Sequence, residues 1–443
     1  MLGPETAIVP EVRASDGRCL TRSFELWRRA QMLIPCGTQT LSKGPDQFIR
    51  GVSPIYLERG EGCRVYDVDG NEYIDYPMSL GPIILGHAYP ATTEAIIRQL
   101  RFGTTFTLMH PLEVEVAELI TECVPCAEMV RFAKNGSDVT SAAIRLARAL
   151  TGRERVVYCG YHGWQDWYIG ATDRRAGVPR AVCELVAPFR YNDLESLDAA
   201  LAAHPGEVAA VILEQGGEDP VDDFLQRVKD RAHGAGALLI FDEVVTGFRY
   251  ALGGIQELYG VVPDLACLGK AVANGLPLSV LAGRREVMTG CEKIFFSMTF
   301  GGETLSLAAA AATIRELRSR DVIPYLWAIG TEWQQTFNLL AASEGVPVRC
   351  GGHPPRSHFE FGGPDPEIAR ALFLQETVKR GVLFGGPVFM TFSHSSRDVA
   401  LTLEACKAAL RVQHKAFADG TPGRFLEGEP PRQILRLAIQ GKR

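Results

Sequence analysis

The chain has 443 residues, of which 46% are hydrophobic, 22% are charged and 45 are glycine. That length exceeds the usual reach of a single hydrophobic core, so two domains, or one domain with a subdomain, are expected, and the composition excludes a disordered or fibrous chain. A net charge of -6 argues against nucleic acid and an anionic membrane surface as partners, and no apolar run reaches the length of about 18 residues that predicts a spanning helix.

The start, MLGPETAIVPEVRASDGR, lacks a basic stretch followed by an apolar one, so no secretory signal is expected. The 11 cysteines are scattered and odd in number, mostly within apolar segments such as DLACLGK, which fits packed, reduced thiols in a cytoplasm. Up to about Tyr76, FELWRRAQML reads as a helix. IYLERGEGCRVYDVDGNEYIDY reads as a hairpin turning at Asp69 and Gly70, because apolar and polar residues alternate around that turn signal. The one CxxC, Cys123 to Cys126, has no second pair at zinc spacing, and no metal site is expected.

From about Gly86 to Arg318, helical patterns alternate with short apolar strands. VAAVILEQ (208–215) and ALLIFDEV (237–244) are nearly continuous in apolar residues, as parallel strands covered on both faces are. Between them FLQRVKDRAHGAG supplies a helix closed by glycine, completing a β-α-β unit and predicting an α/β class. After about Asp321, the helices in YLWAIGTEWQQTFNLLAA, DPEIARALFLQETVKRG and DVALTLEACKAALRVQHKAF surround short strand-like pieces, an α+β arrangement. The tail from Asp419 is loop-like and then helix-like.

In ACLGKAVANGLPLS (266–279), one lysine, Lys270, follows Gly269 in a run where burial is expected. Lysine is seldom buried unless paired, and a desolvated amine becomes a nucleophile. Lys270 is therefore either a helix-surface residue or a working amine. The two strands end in Glu214 and Asp242, and in open parallel sheets the ligand crevice lies off the carboxyl ends of the strands. In KNGSDVTSAAIRLARALTG (134–152), Asn135, Gly136 and Ser137 precede a helix that Gly152 stops. Ser137 is either its N-cap or, with the backbone N–H groups beside it, part of a phosphate cradle at the positive helix end. In VVYCGYHGWQDW, Tyr161 and His162 lie between two glycines, as turn packing or as a platform for a flat ligand. An amine nucleophile, a carboxylate at a sheet edge, a phosphate cradle and an aromatic platform together suit pyridoxal phosphate (PLP), with the lysine holding it as a Schiff base.

The stretches YDVDGNEYIDYPMSLGPIILGHAYP, NGSDVTSAAIRLARALTGR, YHGWQDW, FDEVVTGFRYALGGIQELYGVVPDLACLGK and MTFGGETLSLAAAA resemble the class III PLP-dependent aminotransferases. The branch is the one that includes glutamate-1-semialdehyde aminomutase, and the match runs from about Ile34 to Leu410. Its most specific part is IFDEVVTGFR followed by PDLACLGK, which sets Asp242 and Lys270 at the family's spacing. The resemblance implies fold type I, with a mostly parallel seven-stranded sheet in a large domain, 77–320. A small α+β domain would come from both chain ends, 1–76 and 321–418, followed by a tail, 419–443.

The same resemblance implies that Lys270 is the Schiff-base lysine and proton shuttle and that Asp242 pairs with the pyridine nitrogen. Asn135, Gly136 and Ser137 would hold the phosphate. Tyr161 would stack on one ring face with His162 close by, Val244 would pack the other face, and Glu214 would lie near the phenolic edge. Thr299 matches the threonine that reaches the phosphate of the neighbouring subunit's cofactor, implying a homodimer whose active site is shared across the interface.

Some positions depart from the family pattern. The aminomutase's N-terminal arginine, which binds the substrate carboxylate, is replaced in CGTQTLSKG by Lys43, which lacks a bidentate fork. GVLFGGPVFMTFSHSS contains no arginine where other members carry a C-terminal clamp. Gln215 stands where proline usually follows the strand glutamate, and Glu303-Thr304 where an asparagine-proline pair is common. QTLSKGPDQFIRGVSPIYLERG, YHGWQDWYIG and TFGGETLSLAAA look like members acting on keto-sugars or aminoglycoside intermediates in bacterial antibiotic biosynthesis. The expected reaction is then a ping-pong transfer of an amino group, from L-glutamate, to a carbonyl of a sugar, aminocyclitol or aminoglycoside. Lys43, Trp164 and Gln165 are the expected substrate contacts, with Asp166 and Trp167 adding hydrogen bonds and stacking. The alternatives are an intramolecular aminomutase, a PLP-dependent sugar dehydratase or epimerase, and a catalytically silent binding subunit.

Overall fold

The computed structural model describes residues 12–14 and 16–432. Most of the start read for a secretory signal (1–11 and 15) and the helix-like end of the tail (433–443) lie outside the described residues. The chain divides into two compact units. Of the described residues, the first takes those up to Leu80, Gly86–Ala88 and 328–432, and the second takes Gly81–Leu85 and Tyr89–Trp327.

The first unit begins with the helix Thr21–Leu33 and with strands β1 (Leu57–Glu61), β2 (Arg64–Asp67) and β3 (Glu72–Asp75). These strands form a three-stranded antiparallel meander where the sequence reading has one hairpin. The missed turn sits at Gly62, whose φ of 57° lets the chain reverse within two residues. The expected turn is present at Asp69 and Gly70: Asp67 Oδ1 accepts the N–H groups of Asp69 and Asn71 at 3.0 and 2.8 Å.

The second unit carries β4 (Met129–Ala133), β5 (Arg155–Cys159), β6 (Val186–Pro188), β7 (Val208–Glu214), β8 (Leu238–Glu243), β9 (Leu265–Leu268) and β10 (Ser279–Gly283). They form one seven-stranded sheet in the order β4-β10-β9-β8-β7-β5-β6, in which only β10 runs antiparallel to its neighbours. Because side chains alternate along a strand, a strand buried on both faces must be apolar throughout. Val156, Tyr158, Ala210, Ile212 and Ile240 pack one face with the helix Gly136–Thr151. Val157, Val211, Leu213, Leu239 and Phe241 pack the other with the helix Phe224–Gly234.

Returning to the first unit, the chain adds β11 (Val348–His353), β12 (Arg356–Phe361), β13 (Val382–Leu383) and β14 (Val388–Phe389). β13 joins β3 in parallel, while β11, β12 and β14 form a separate antiparallel sheet. The helices Pro366–Val378 and Ser396–Ala418 pack against each other, and Tyr76, Trp333, Phe337, Phe359, Phe373 and Phe384 form an aromatic core. All 11 cysteines are free; Cys126 is buried, which pushes its thiol up to about 12. Among the described residues no helix is long and apolar enough to cross a membrane.

Candidate active site

Strand register brings the two carboxylates together. Glu214 and Asp242 are direct partners at the ends of β7 and β8. Each lies two residues beyond an isoleucine, Ile212 or Ile240, that packs the face covered by the helix Gly136–Thr151. The period of two therefore points both carboxylates to that same face.

Asp242 is nearly buried. Its Oδ2 lies 2.7 Å from His162 Nδ1, and its Oδ1 accepts the N–H of Val244 at 3.2 Å. His162 Nε2 lies 3.0 Å from the carbonyl oxygen of Cys159. A carbonyl only accepts, so Nε2 carries hydrogen; the Nδ1 contact holds a further proton, on the imidazole or on the carboxylate. Around this pair Trp167 stacks on the His162 ring at 5.9 Å and 21°, and Thr140 donates to the His162 carbonyl at 2.9 Å.

The helix Gly136–Thr151 starts beside these groups. Its N-cap is Asn135, so Ser137 is not the cap but the second helical residue. Asp138 accepts the Asn135 N–H at 2.8 Å and its own N–H returns to the Asn135 carbonyl at 3.0 Å, so the turn into the helix leaves the N–H groups of Gly136 and Ser137 open. Ser279 Oγ donates to the Asn135 carbonyl at 2.8 Å and ties the turn to the start of β10. A Cβ on Gly136 would stand 2.9 Å from Val244 Cγ1, and one on Gly269 would stand 3.4 Å from the same atom. Val244 thus lies between the helix start and the residue that precedes Lys270.

Lys270 follows β9 and opens the short turn Lys270–Ala273. Its φ is +43°, a left-handed conformation that costs an ordinary side chain about 1–2 kcal/mol. The turn is anchored at its other end, where Asn274 Oδ1 accepts the N–H groups of Ile84 and Leu85, both at 2.9 Å.

Tyr161 is half exposed after Gly160, whose φ is +102° and where a Cβ would meet Glu214 at 2.7 Å. The Tyr161 N–H donates to Glu214 Oε2 at 3.1 Å. Burial, with Glu214 and Asp242 adding to it, pushes the Tyr161 hydroxyl up, so it stays protonated at neutral pH. Trp164 is 70% exposed, and Gln165 reaches toward Asp138 at 3.5 Å. Trp167, expected to stack on substrate, is instead buried, its indole N–H on Ser141 Oγ at 3.0 Å.

The structure thus gathers Asn135, Gly136, Ser137, Tyr161, His162, Glu214, Asp242 and Val244, with Lys270 one residue beyond the Val244 contact. Thr299 lies exposed in the loop before the helix Thr304–Ser319. Lys43 belongs to the first unit, where its ammonium donates to Ser79 Oγ at 2.7 Å. Both departures at Gln215 and Glu303 have local reasons. Gln215 is buried and closes its own turn, donating to the Glu218 carbonyl at 2.6 Å and accepting from Gly217 at 2.9 Å. Glu303 caps the helix Thr304–Ser319 in place of asparagine and pairs with Lys134 at 3.1 Å.

Sequence reading missed Asp138 and Ser279. Asp138 carries a local signal, an acid three residues after an N-cap asparagine. Ser279 carries none, because its partner lies more than a hundred residues earlier in the chain.

These residues fit PLP: a helix start with free N–H groups and no side chain at Gly136, a buried carboxylate, a half-exposed tyrosine and a lysine in a strained turn. The family profile described as Aminotransferase class-III matches residues 49–383. The chain is 34% identical over 406 residues to a 3-aminobutyryl-CoA aminotransferase of Cloacimonas acidaminovorans (strain Evry), covering 88% of this chain and 97% of that one. It is 36% identical over 436 residues to a glutamate-1-semialdehyde 2,1-aminomutase of Roseiflexus castenholzii, covering 90% and 99%. The FumI protein of Sphingopyxis sp. MTA144, solved in its PLP internal aldimine form, superposes with a TM-score of 0.85 at 30% identity, covering 93% of this chain and 99% of that one. The chain therefore belongs to the class III aminotransferases, PLP-dependent enzymes of fold type I.

Proposed function

We propose that the chain moves an amino group, drawn from L-glutamate, to a carbonyl carbon of a sugar, aminocyclitol or aminoglycoside intermediate in a ping-pong cycle. When bound, PLP supplies a ring that takes up the electron pair left as the C–H bond beside the amino group breaks. Lys270 Nζ is the base that accepts this proton and the acid that returns it to carbon. Asp242 would pair with the ring nitrogen and keep it protonated, while His162 fixes the carboxylate's orientation. The N–H groups of Gly136 and Ser137, at the positive end of their helix, bind the phosphate. Tyr161 and Val244 would cover the ring and keep water from it.

The observation that carries the reading is the buried Asp242 carboxylate held at 2.7 Å by His162, which itself leans on the Cys159 carbonyl. For the acceptor, a neutral, hydroxylated substrate is supported by the sequence change to Lys43, because a lysine lacks the fork that grips a carboxylate. Trp164 and Gln165 are the other substrate-facing residues of this reading. A homodimer that shares its sites, with Thr299 reaching the partner's phosphate, is supported by the exposed loop around it. Phe295 is 87% and Phe300 58% exposed there, more apolar surface than a single chain usually leaves open.

The test is the holoenzyme with L-glutamate and a panel of keto-sugars and aminoglycoside aldehydes. Formation of 2-oxoglutarate in step with an aminated product is expected. Isomerisation of glutamate-1-semialdehyde without any donor would sink the reading and favour the aminomutase, which the 36% identity to that enzyme keeps second. In the same assays Lys270→Ala is expected to lose the bound cofactor's visible absorbance band and about 10³-fold or more in rate; an unchanged spectrum removes Lys270 from its role.

A further inference from the structure

A pocket of about 490 Å³ lies wholly within the first unit. Phe48, Ile55, Leu57, Leu80 and Leu383 give it apolar walls. Apart from His87, its charged lining is two cations, Lys43 and Arg59, and two carboxylates, Glu58 and Asp75, so neither sign is in surplus.

The backbone is strained where it borders this space. Met78, Ser79 and Leu80 have φ of 42°, 57° and 73° in succession, a left-handed run that residues other than glycine rarely adopt. Asp75 Oδ1 accepts the Met78 N–H at 3.2 Å and the Pro77 carbonyl accepts the Leu80 N–H at 2.8 Å, which together hold the turn. Ser79 thereby stands in the lining, where its Oγ accepts the Lys43 ammonium at 2.7 Å. Strain of this kind persists where the surroundings enforce it, and it gathers at ligand sites.

Asp75 also aims a ring into the pocket. The His87 Nε2–H donates to Asp75 Oδ2 at 2.9 Å, which leaves Nδ1 as the acceptor of the neutral ring. The side chain is 19% exposed, and Nδ1 has no partner among the described residues without being closed off. Gly60 makes room for the ring, since a Cβ there would stand 2.7 Å from His87 Cγ. Arg59 lies with its guanidinium 3.4 Å over the Tyr66 ring, a placement that leaves its N–H edge open.

We infer that this pocket binds an uncharged, polyhydroxylated ring and so holds the acceptor as a keto-cyclitol or keto-sugar without phosphate, carboxylate or further amine, which rests on the reading above that Lys43 meets the substrate. A hydroxyl both donates and accepts. Lys43 and Arg59 supply donors, His87 Nδ1 and Glu58 supply acceptors, Ser79 Oγ supplies both, and the apolar walls cover the ring's C–H groups. The balanced lining gives a charged group no surplus of the opposite sign to meet. The pocket's size falls in the range of small-molecule sites, roughly 300–1,000 Å³.

Saturation-transfer NMR titrations of the holoenzyme with myo-inositol, myo-inositol 1-phosphate, 2-deoxystreptamine and cyclohexanol test this. Myo-inositol is expected to bind tightest of the four. Ser79→Gly takes the positive φ without strain, and His87→Gln keeps an amide donor for Asp75. Each should weaken myo-inositol about fivefold, as the loss of one hydrogen bond allows. Tighter binding of the phosphate, the diamine or cyclohexanol would overturn the inference, as would undiminished myo-inositol binding by either variant. L-glutamate added to the same holoenzyme separates the two readings: no 2-oxoglutarate defeats the transfer itself, whereas 2-oxoglutarate without myo-inositol binding defeats only the assignment of the pocket.

Discussion

Gly136 lacks a side chain because Val244 fills the space that one would need. A Cβ there would stand 2.9 and 3.0 Å from the two Val244 methyl carbons, and a β-branched side chain has little freedom to turn away. Gly136→Ala should destabilise the cofactor-free chain by about 1–3 kcal/mol, the usual effect of overpacking. Val244→Ala in the same chain should recover most of that, giving a coupling of about 1 kcal/mol in urea titrations. A double variant no more stable than Gly136→Ala alone would mean that the helix start, not Val244, sets the requirement for glycine. At this scale the identities of the site residues were legible, because lysine, acid and glycine stand out within apolar runs. Their relations were not. His162 meets Asp242 across 80 residues of chain, and nothing local in GKAVAN announces that Lys270 has a positive φ.

Glu243 shows what strand alternation does at the level of an element. Asp242 points to one face of the sheet, so its neighbour points to the other. There Glu243 is fully buried and accepts from Thr246 Oγ1 at 2.5 Å, from the Ile255 N–H at 2.9 Å and from the Gln256 N–H at 3.3 Å. The carboxylate thus ties the end of β8 to the helix Ile255–Leu258. Gly254, at φ +78°, must stay bare, since a Cβ would stand 2.1 Å from Glu243 Oε2. Gly254→Ala is expected to cost about 2–4 kcal/mol, combining left-handed strain with unpaired N–H groups. Hydrogen exchange at Ile255 and Gln256 should speed up with it. Gly260→Ala is the control: its φ is +69° with nothing within 4 Å, so only the strain of about 1–2 kcal/mol applies. Equal losses in the two variants would show that the Glu243 contact holds nothing. The β-α-β pattern was legible because it depends on apolar periodicity. The Gly62 turn was not, since RGEGC offers two glycines and no alternation to choose between them. The burial of Trp167 was equally hidden, because the ring it stacks on is held from another strand end.

One buried group in each unit links that unit's stability to pH, and the two links have opposite signs. In the first, His394 is fully buried and Nδ1 accepts the Thr391 N–H at 3.1 Å, which needs the neutral ring. Burial pushes it from 6.5 down to about 4 against the pull of Asp75 and Asp398. Between pH 6.5 and 4 the unfolded chain therefore takes up a proton that the folded unit refuses, and stability is lost as pH falls. In the second unit burial pushes Glu243 from 4.5 up to about 7. Between pH 7 and 4.5 the folded unit holds a proton that the unfolded chain lacks, so stability is gained as pH falls and lost as it rises. From pH 7 to 5 each effect comes to about 2 kcal/mol. Acidification over that range should weaken the first unit while strengthening the second, so a single urea transition at pH 7 is expected to broaden or split at pH 5. Tryptophan fluorescence reports mainly the first unit through buried Trp333 and the second through buried Trp167. His394→Gln, which cannot take up the proton, should leave only the Glu243 effect and roughly halve the separation of the two units at pH 5. If wild type and His394→Gln respond alike to acid, His394 does not set the acid sensitivity of its unit.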